Sequence, residues 1–249
     1  MEGRYIYCVA EGDEEISLGR IGIDGSEVYT VHFEGLSAIV HNYQGDPPDC
    51  WERESMIGWV VSHQKVVETA WRRFGTILPV RFHTVIKGGA DDLNGWLGGN
   101  HGELRKSIGR LRGREEYGVQ VFWDEDLVAG RLVDSVPALR ELKAKTEGGT
   151  GAAYMHGQLL EKALKREMAR EKERYFENIY QRIEELAERI IIEEVKAADN
   201  GVRMIMNLSV LVPGERRDEM TAELEIINLR EGIAVRPTGP WPPYSFVDM

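Results

Sequence analysis

Cysteine is nearly absent. The 249-residue chain has two, Cys8 and Cys50, too few for the disulfide framework of small secreted domains, so both are read as reduced thiols in a cytosol. Long apolar runs are missing as well, and no stretch reaches the roughly 20 residues that span a bilayer, which argues against membrane insertion. The N-terminal residues lack the basic, apolar and small-residue succession of a secretory signal, so a cytoplasmic location is expected. Positive charge is in deficit: 31 Lys and Arg against 42 Asp and Glu give a net charge of −11, a field that repels nucleic acid and anionic lipid. The densest basic stretch, 105–114, carries Lys106, Arg110 and Arg112 among glycines and suits the end of a helix, where cations favour the dipole. His63, His83, His101 and His156 are not spaced as metal ligands with cysteine or carboxylate, so neither metal nor cofactor is expected.

What is present is ample material for a core. Hydrophobic residues make up 42% of the chain, enough for one large domain or two small ones. Residues 5–9, 27–33 and 36–41 are β-prone, and Glu34-Gly35 between the last two signals a hairpin, though a weaker one than Asn-Gly. Over 51–74 apolar residues recur at three and four, which predicts an amphipathic helix ended by Gly75. Residues 76–86 read as extended chain whose Pro79 must sit at an edge or a bulge. A helix over 90–111, broken near Gly98-Gly99, and a strand over 117–123 follow. This order predicts an antiparallel sheet carrying helices on one face, an α+β layer of modified ferredoxin-like kind.

Texture changes after Trp123. A charged stretch ends in Gly148-Gly149-Thr150-Gly151, placing a domain boundary between 1–125 and 126–249. Residues 152–197 contain no proline and are dense in Glu, Lys, Arg, Leu and Ala, predicting one long helix or two nearly collinear ones, with 170–174 interrupting its apolar stripe. A strand over 204–212, a helix over 217–229 and a short strand over 232–237 complete an α+β C-terminal domain.

Few residues invite chemistry. Gly148-Gly149-Thr150-Gly151 lacks the Lys-Ser/Thr of a phosphate loop and reads as linker and helix cap, which sets a nucleotide enzyme aside. His63, at the apolar margin of its helix, reads as a structural histidine. Arg81, among the apolar residues of Leu78-Pro79-Val80-Arg81-Phe82, is costly to bury alone and is expected to meet a carboxylate or carbonyl oxygens, with His63 as companion. In the tail, Pro240, Pro242 and Pro243 fix extended backbone and present Trp241, Tyr244 and Phe246 on a stiff strap. Burying Trp241 fully would contribute up to about 5 kcal/mol. An intramolecular clasp over the domain junction is the expected role, since exposed aromatic clusters invite aggregation.

Taken in order, the Tyr5-Ile6-Tyr7 strand, the helix with His63, Leu78-Pro79-Val80-Arg81-Phe82, Gly151-Ala152-Ala153-Tyr154 and the closing Gly-Pro-Trp-Pro-Pro-Tyr-Ser-Phe resemble the GvpF/GvpL gas vesicle family over most of the chain. The resemblance implies a modified ferredoxin-like N-terminal domain followed by a C-terminal domain with long coiled-coil-like helices. It also implies a non-catalytic accessory role in gas vesicle formation, with binding of the hydrophobic shell protein GvpA and of other accessory proteins during nucleation or assembly. No catalytic residue carries over. Two rival functions stand beside it: a minor structural component of the vesicle wall, and a small-molecule enzyme using His63, Arg81 and His83 in an interdomain cleft. One departure is His83, where the family more often places glycine after Arg-Phe.

Overall fold

Strand β1 (Glu2–Glu11) is the spine of the first of two sheets in the computed structural model, which describes residues 2–44, 53–146, 151–196 and 202–247. Cys50 and Gly148-Gly149-Thr150 lie outside those residues. Around β1 are β2 (Ser17–Gly19), β3 (Val28–Phe33), β4 (Leu36–Gln44) and β5 (Ile77–Lys87), in the spatial order β2-β3-β4-β1-β5 with antiparallel pairing. The β3–β4 hairpin forms where Glu34-Gly35 predicts it, and both turn residues lie at positive φ, 47° and 82°, as a primed turn requires. Pro79 sits on the edge strand β5 and also at a bulge, for Ile6 pairs with Thr84 whereas Cys8 pairs with Pro79. There a missing N–H costs no ladder bond.

The same bulge changes which side chains face inward. Tyr5 and Tyr7 lie on one side of β1; past the irregularity the register shifts, so Cys8 and Ala10 join them in a single apolar cluster. Helix α1 (Arg53–Phe74) covers that face with His63, Val66, Val67 and Ala70, a stripe at three- and four-residue spacing. Residues 5–10 of β1 and 36–41 of β4 are continuously buried, so both faces of the sheet are covered rather than the one expected. Helix α2 (Ala90–Leu111) packs across β5, β1 and β3 through Leu93, Leu97, Leu104, Ile108 and Leu111. It is not broken at Gly98. A Cβ there would meet the Phe33 ring at 3.2 Å, so this glycine permits close approach of helix and strand.

The second sheet, in the order β7-β8-β6-β9, comprises β6 (Arg114–Asp124), β7 (Arg189–Ile192), β8 (Val202–Pro213) and β9 (Ile233–Trp241). Tyr117, Val119, Val121 and Trp123 alternate into its core. The charged stretch after β6 forms two helices, α3 (Glu125–Ser135), capped by the Asp124 carboxylate accepting from Leu127 N–H at 2.9 Å, and α4 (Pro137–Thr146). The long helix α5 (Gly151–Glu184) has 34 residues, about 51 Å, and runs through 170–174 without a break. It is shorter than expected because Ile190-Ile191-Ile192, a β-branched run, leaves the helix and pairs with β8. Helix α6 (Arg217–Asn228) buries Met220, Leu224 and Ile227.

Backbone contacts divide the chain into two compact units, residues 1–116 with 240–249 and residues 117–239. The first unit therefore contains the Pro- and aromatic-rich tail.

Candidate functional site

Two tyrosine–histidine pairs lie under α1 in the first unit. Tyr7 Oη accepts from the Ile23 N–H at 3.0 Å and lies 2.8 Å from His41 Nδ1; Tyr5 Oη accepts from the His83 N–H at 2.9 Å and lies 2.9 Å from His63 Nδ1. Each phenol has one proton, and leaving it unused in a buried site would be costly. Each tyrosine therefore donates to its histidine, which fixes both imidazoles as the neutral tautomer protonated at Nε2. Burial raises both phenols above their ordinary value, Tyr7 to about 12, against the smaller stabilising effect of the backbone N–H groups. Burial also pushes His41 and His63 down to about 4. The rings stack and tilt over one another, with Tyr5 5.0 Å from His41 and Tyr7 5.3 Å from His63 between centroids.

His83 is strained. It adopts φ 66°, the left-handed conformation that glycine takes without cost, and is held there by its N–H bond to Tyr5 and a longer 3.4 Å contact of Nε2 with Tyr43 Oη. Burial lowers its pKa too.

His63 differs from His41 in one respect. It is only 4% exposed, and its Nε2 has no hydrogen-bond partner of good geometry, although the Val80 carbonyl is close enough to oppose part of the burial effect on its pKa. It forms part of the wall of a cavity of about 710 Å³ together with Val60, Pro79, Val80, Phe82 and Trp96. Arg81 and, from the tail, Tyr244 and Val247 also line this space. His63 and Arg81 thus share a cavity, while His83 is not among its lining residues. Arg81 is exposed rather than buried, and no carboxylate among the described residues pairs with it.

The tail is anchored within the first unit. Glu116, 9% exposed, accepts from the Ser245 N–H at 2.8 Å and from its hydroxyl at 2.6 Å, and Phe246, Pro242 and Pro243 are buried. Trp241, which closes β9, is 37% exposed, so the full burial that motivated its large energy is not reached. Tyr154 lies near the start of α5, 71% exposed, its hydroxyl accepting from Gln158.

Sequence reasoning passed over His41 and Glu116. His41 stands directly opposite Tyr5 in the β1–β4 register, a signal available once the hairpin is drawn. Glu116 gave none, because its partner Ser245 lies far along the chain.

Beside the cavity, the first turns of α1 carry Met56, Ile57, Val60 and Val61 at the surface, Val60 at the cavity rim and Ile57 and Val61 each more than 60% exposed. Their spacing places them on adjacent turns of one helix face. Among the described residues, no cluster of three or more histidine, cysteine or acidic side chains could hold a metal, and no helix is long and apolar enough to cross a membrane.

Comparison with known proteins places this geometry in context. The chain is 31% identical to Gas vesicle protein L1 of Halobacterium salinarum, with 98% of this chain and 90% of that protein covered. It is 26% identical to Gas vesicle protein F of a Nostoc species, covering 99% and 98% respectively. Its fold matches the crystal structure of the gas vesicle protein GvpF from Anabaena, with a TM-score of 0.78 at 24% identity over 100% of this chain and 99% of that one. The family described as gas vesicle synthesis protein GvpL/GvpF matches residues 3–248. With that match running almost from end to end, the chain belongs to the GvpL/GvpF family of gas vesicle synthesis proteins.

Proposed function

We propose that the protein is an accessory factor that binds the hydrophobic shell protein GvpA, and other accessory proteins, while the vesicle is nucleated and assembled. The observation carrying this reading is the exposed apolar face of α1, Met56, Ile57, Val60 and Val61, on a chain whose net charge is −11. Such a face is a liability in a protein that works alone and a docking strip in one that receives an apolar subunit. The net negative charge of the chain favours solubility of the loaded factor. We further read the first unit as a modified ferredoxin-like domain and α5 with its packed helices as the coiled-coil-like part of the second.

Co-expression with the shell protein and affinity capture test this. The wild-type chain is expected to retain the shell protein, and Ile57→Glu with Val61→Glu to lose it while remaining folded. Equal capture by both would refute the α1 surface; no capture by either, with normal vesicles after deletion, would refute the function. Quantifying the protein in vesicles before and after a urea wash separates a transient helper from a minor wall component.

A further inference from the structure

The cavity beside α1 has the make-up of a small-molecule site. Its volume, about 710 Å³, lies in the range of ligand pockets, and Val60, Pro79, Val80, Phe82 and Trp96 make its walls apolar. Besides the polar groups of Gln64, Thr84 and Tyr244, two donors stand against that apolar lining. Arg81 is its one charged lining residue, exposed and without a carboxylate partner among the described residues. His63, 96% buried by its 4% exposure, lines the same region, and its buried Nε2 has no hydrogen-bond partner. The Tyr5 hydroxyl assigns the proton to that nitrogen, so what is missing is an acceptor. Both groups ask for oxygen, and the cationic one asks for negative charge.

The geometry points to a binding site for an organic carboxylate with an apolar body, its acid group held between the Arg81 guanidinium and the His63 Nε2–H and its chain lying along Val60, Phe82 and Trp96. The imidazole stays neutral throughout and takes no proton, so it serves as a positioning donor. This site meets the α1 docking strip at Val60 but differs from it in chemistry: the strip is apolar, and the cavity is cationic at one point.

Octanoate is the probe. Titrated into the full chain at neutral pH and followed by calorimetry, it is expected to bind saturably at one site, with octanol of the same length bound at least about tenfold more weakly for want of the charge. Arg81→Gln, a surface change that leaves the fold intact, should weaken octanoate to the level of octanol. Val60→Trp, which fills the cavity from its exposed rim, should abolish binding of both. In nitrogen-edited spectra the His63 Nε2–H resonance should move on octanoate addition and not on octanol addition. No saturable binding at millimolar octanoate overturns the proposal. So does equal affinity for octanol, which would leave a merely apolar hole, and so does binding unaffected by Arg81→Gln or by Val60→Trp, which would place it elsewhere.

Discussion

Mild acid should unfold the first unit through its histidines. His41 and His63 are 2% and 4% exposed, and burial depresses each from 6.5 to about 4. The unfolded chain therefore binds protons at these positions where the folded chain does not, and stability falls as pH drops through the interval between those two values. Between pH 7.5 and pH 5 linkage gives a loss of about 2 kcal/mol for each imidazole, about 4 kcal/mol for the pair. Asp24 offsets a little of this at His41, and the Val80 carbonyl at His63; Tyr5, Tyr7 and Tyr43 face the rings as neutral groups. His83 has a lowered pKa and adds in the same direction. Because both rings lie against the same two tyrosines, charging one opposes charging the other. The assay is urea unfolding at fixed ionic strength in half-unit pH steps, with His41→Gln and His63→Gln combined as the control. The wild type should lose several kcal/mol by pH 5, above the range where most carboxylates titrate, and the double variant should show a much flatter profile. A wild-type loss below about 1 kcal/mol, or an undiminished slope in the double variant, would refute the neutral-imidazole assignment.

The other expectations concern packing and strain, and urea denaturation reads them all. Phe246→Ala should cost about 3–5 kcal/mol, because the ring is 3% exposed, whereas Trp241→Ala, 37% exposed, should cost about 1 kcal/mol. The reverse order would show that the tail is seated by its tryptophan. His83→Gly should stabilise by up to about 1 kcal/mol by relieving the left-handed backbone, the Tyr43 contact at 3.4 Å being weak; a loss above that would mean the imidazole is an anchor. Gly98→Val should cost about 2 kcal/mol or more as α2 is pushed from Phe33, while Gly99→Ala, with open space around it, should be neutral or stabilising. Ile57→Glu with Val61→Glu should change stability by less than about 0.5 kcal/mol each, since both side chains are exposed.

Local periodicity made most elements legible: the stripe of α1, the hairpin at Glu34-Gly35 and the alternation of β6 stand in the structure near where the sequence places them. The misreadings share a physical cause. Gly98 resembles a helix breaker until Phe33, far away in sequence, is seen to need its missing side chain. Ile190-Ile191-Ile192 continues a helical stripe until β8 supplies a strand partner, and tertiary pairing then overrides it. The cavity is half visible in the sequence, where the stripe of α1 marks His63, but Arg81 lies in the bulged segment of β5, and a bulge leaves no periodic trace.

The return of residues 240–247 to the first unit has a consequence for how the chain is made. On a ribosome, an N-terminal unit ordinarily closes while the rest is still being translated. Here residues 2–116 emerge first, yet the Glu116 carboxylate waits for Ser245, and the site of Phe246 stays open, until 117–239 have been synthesised. The earliest part of the protein to appear is thus among the last to be finished, and a fusion or truncation at the far end of the chain acts on the domain at its beginning.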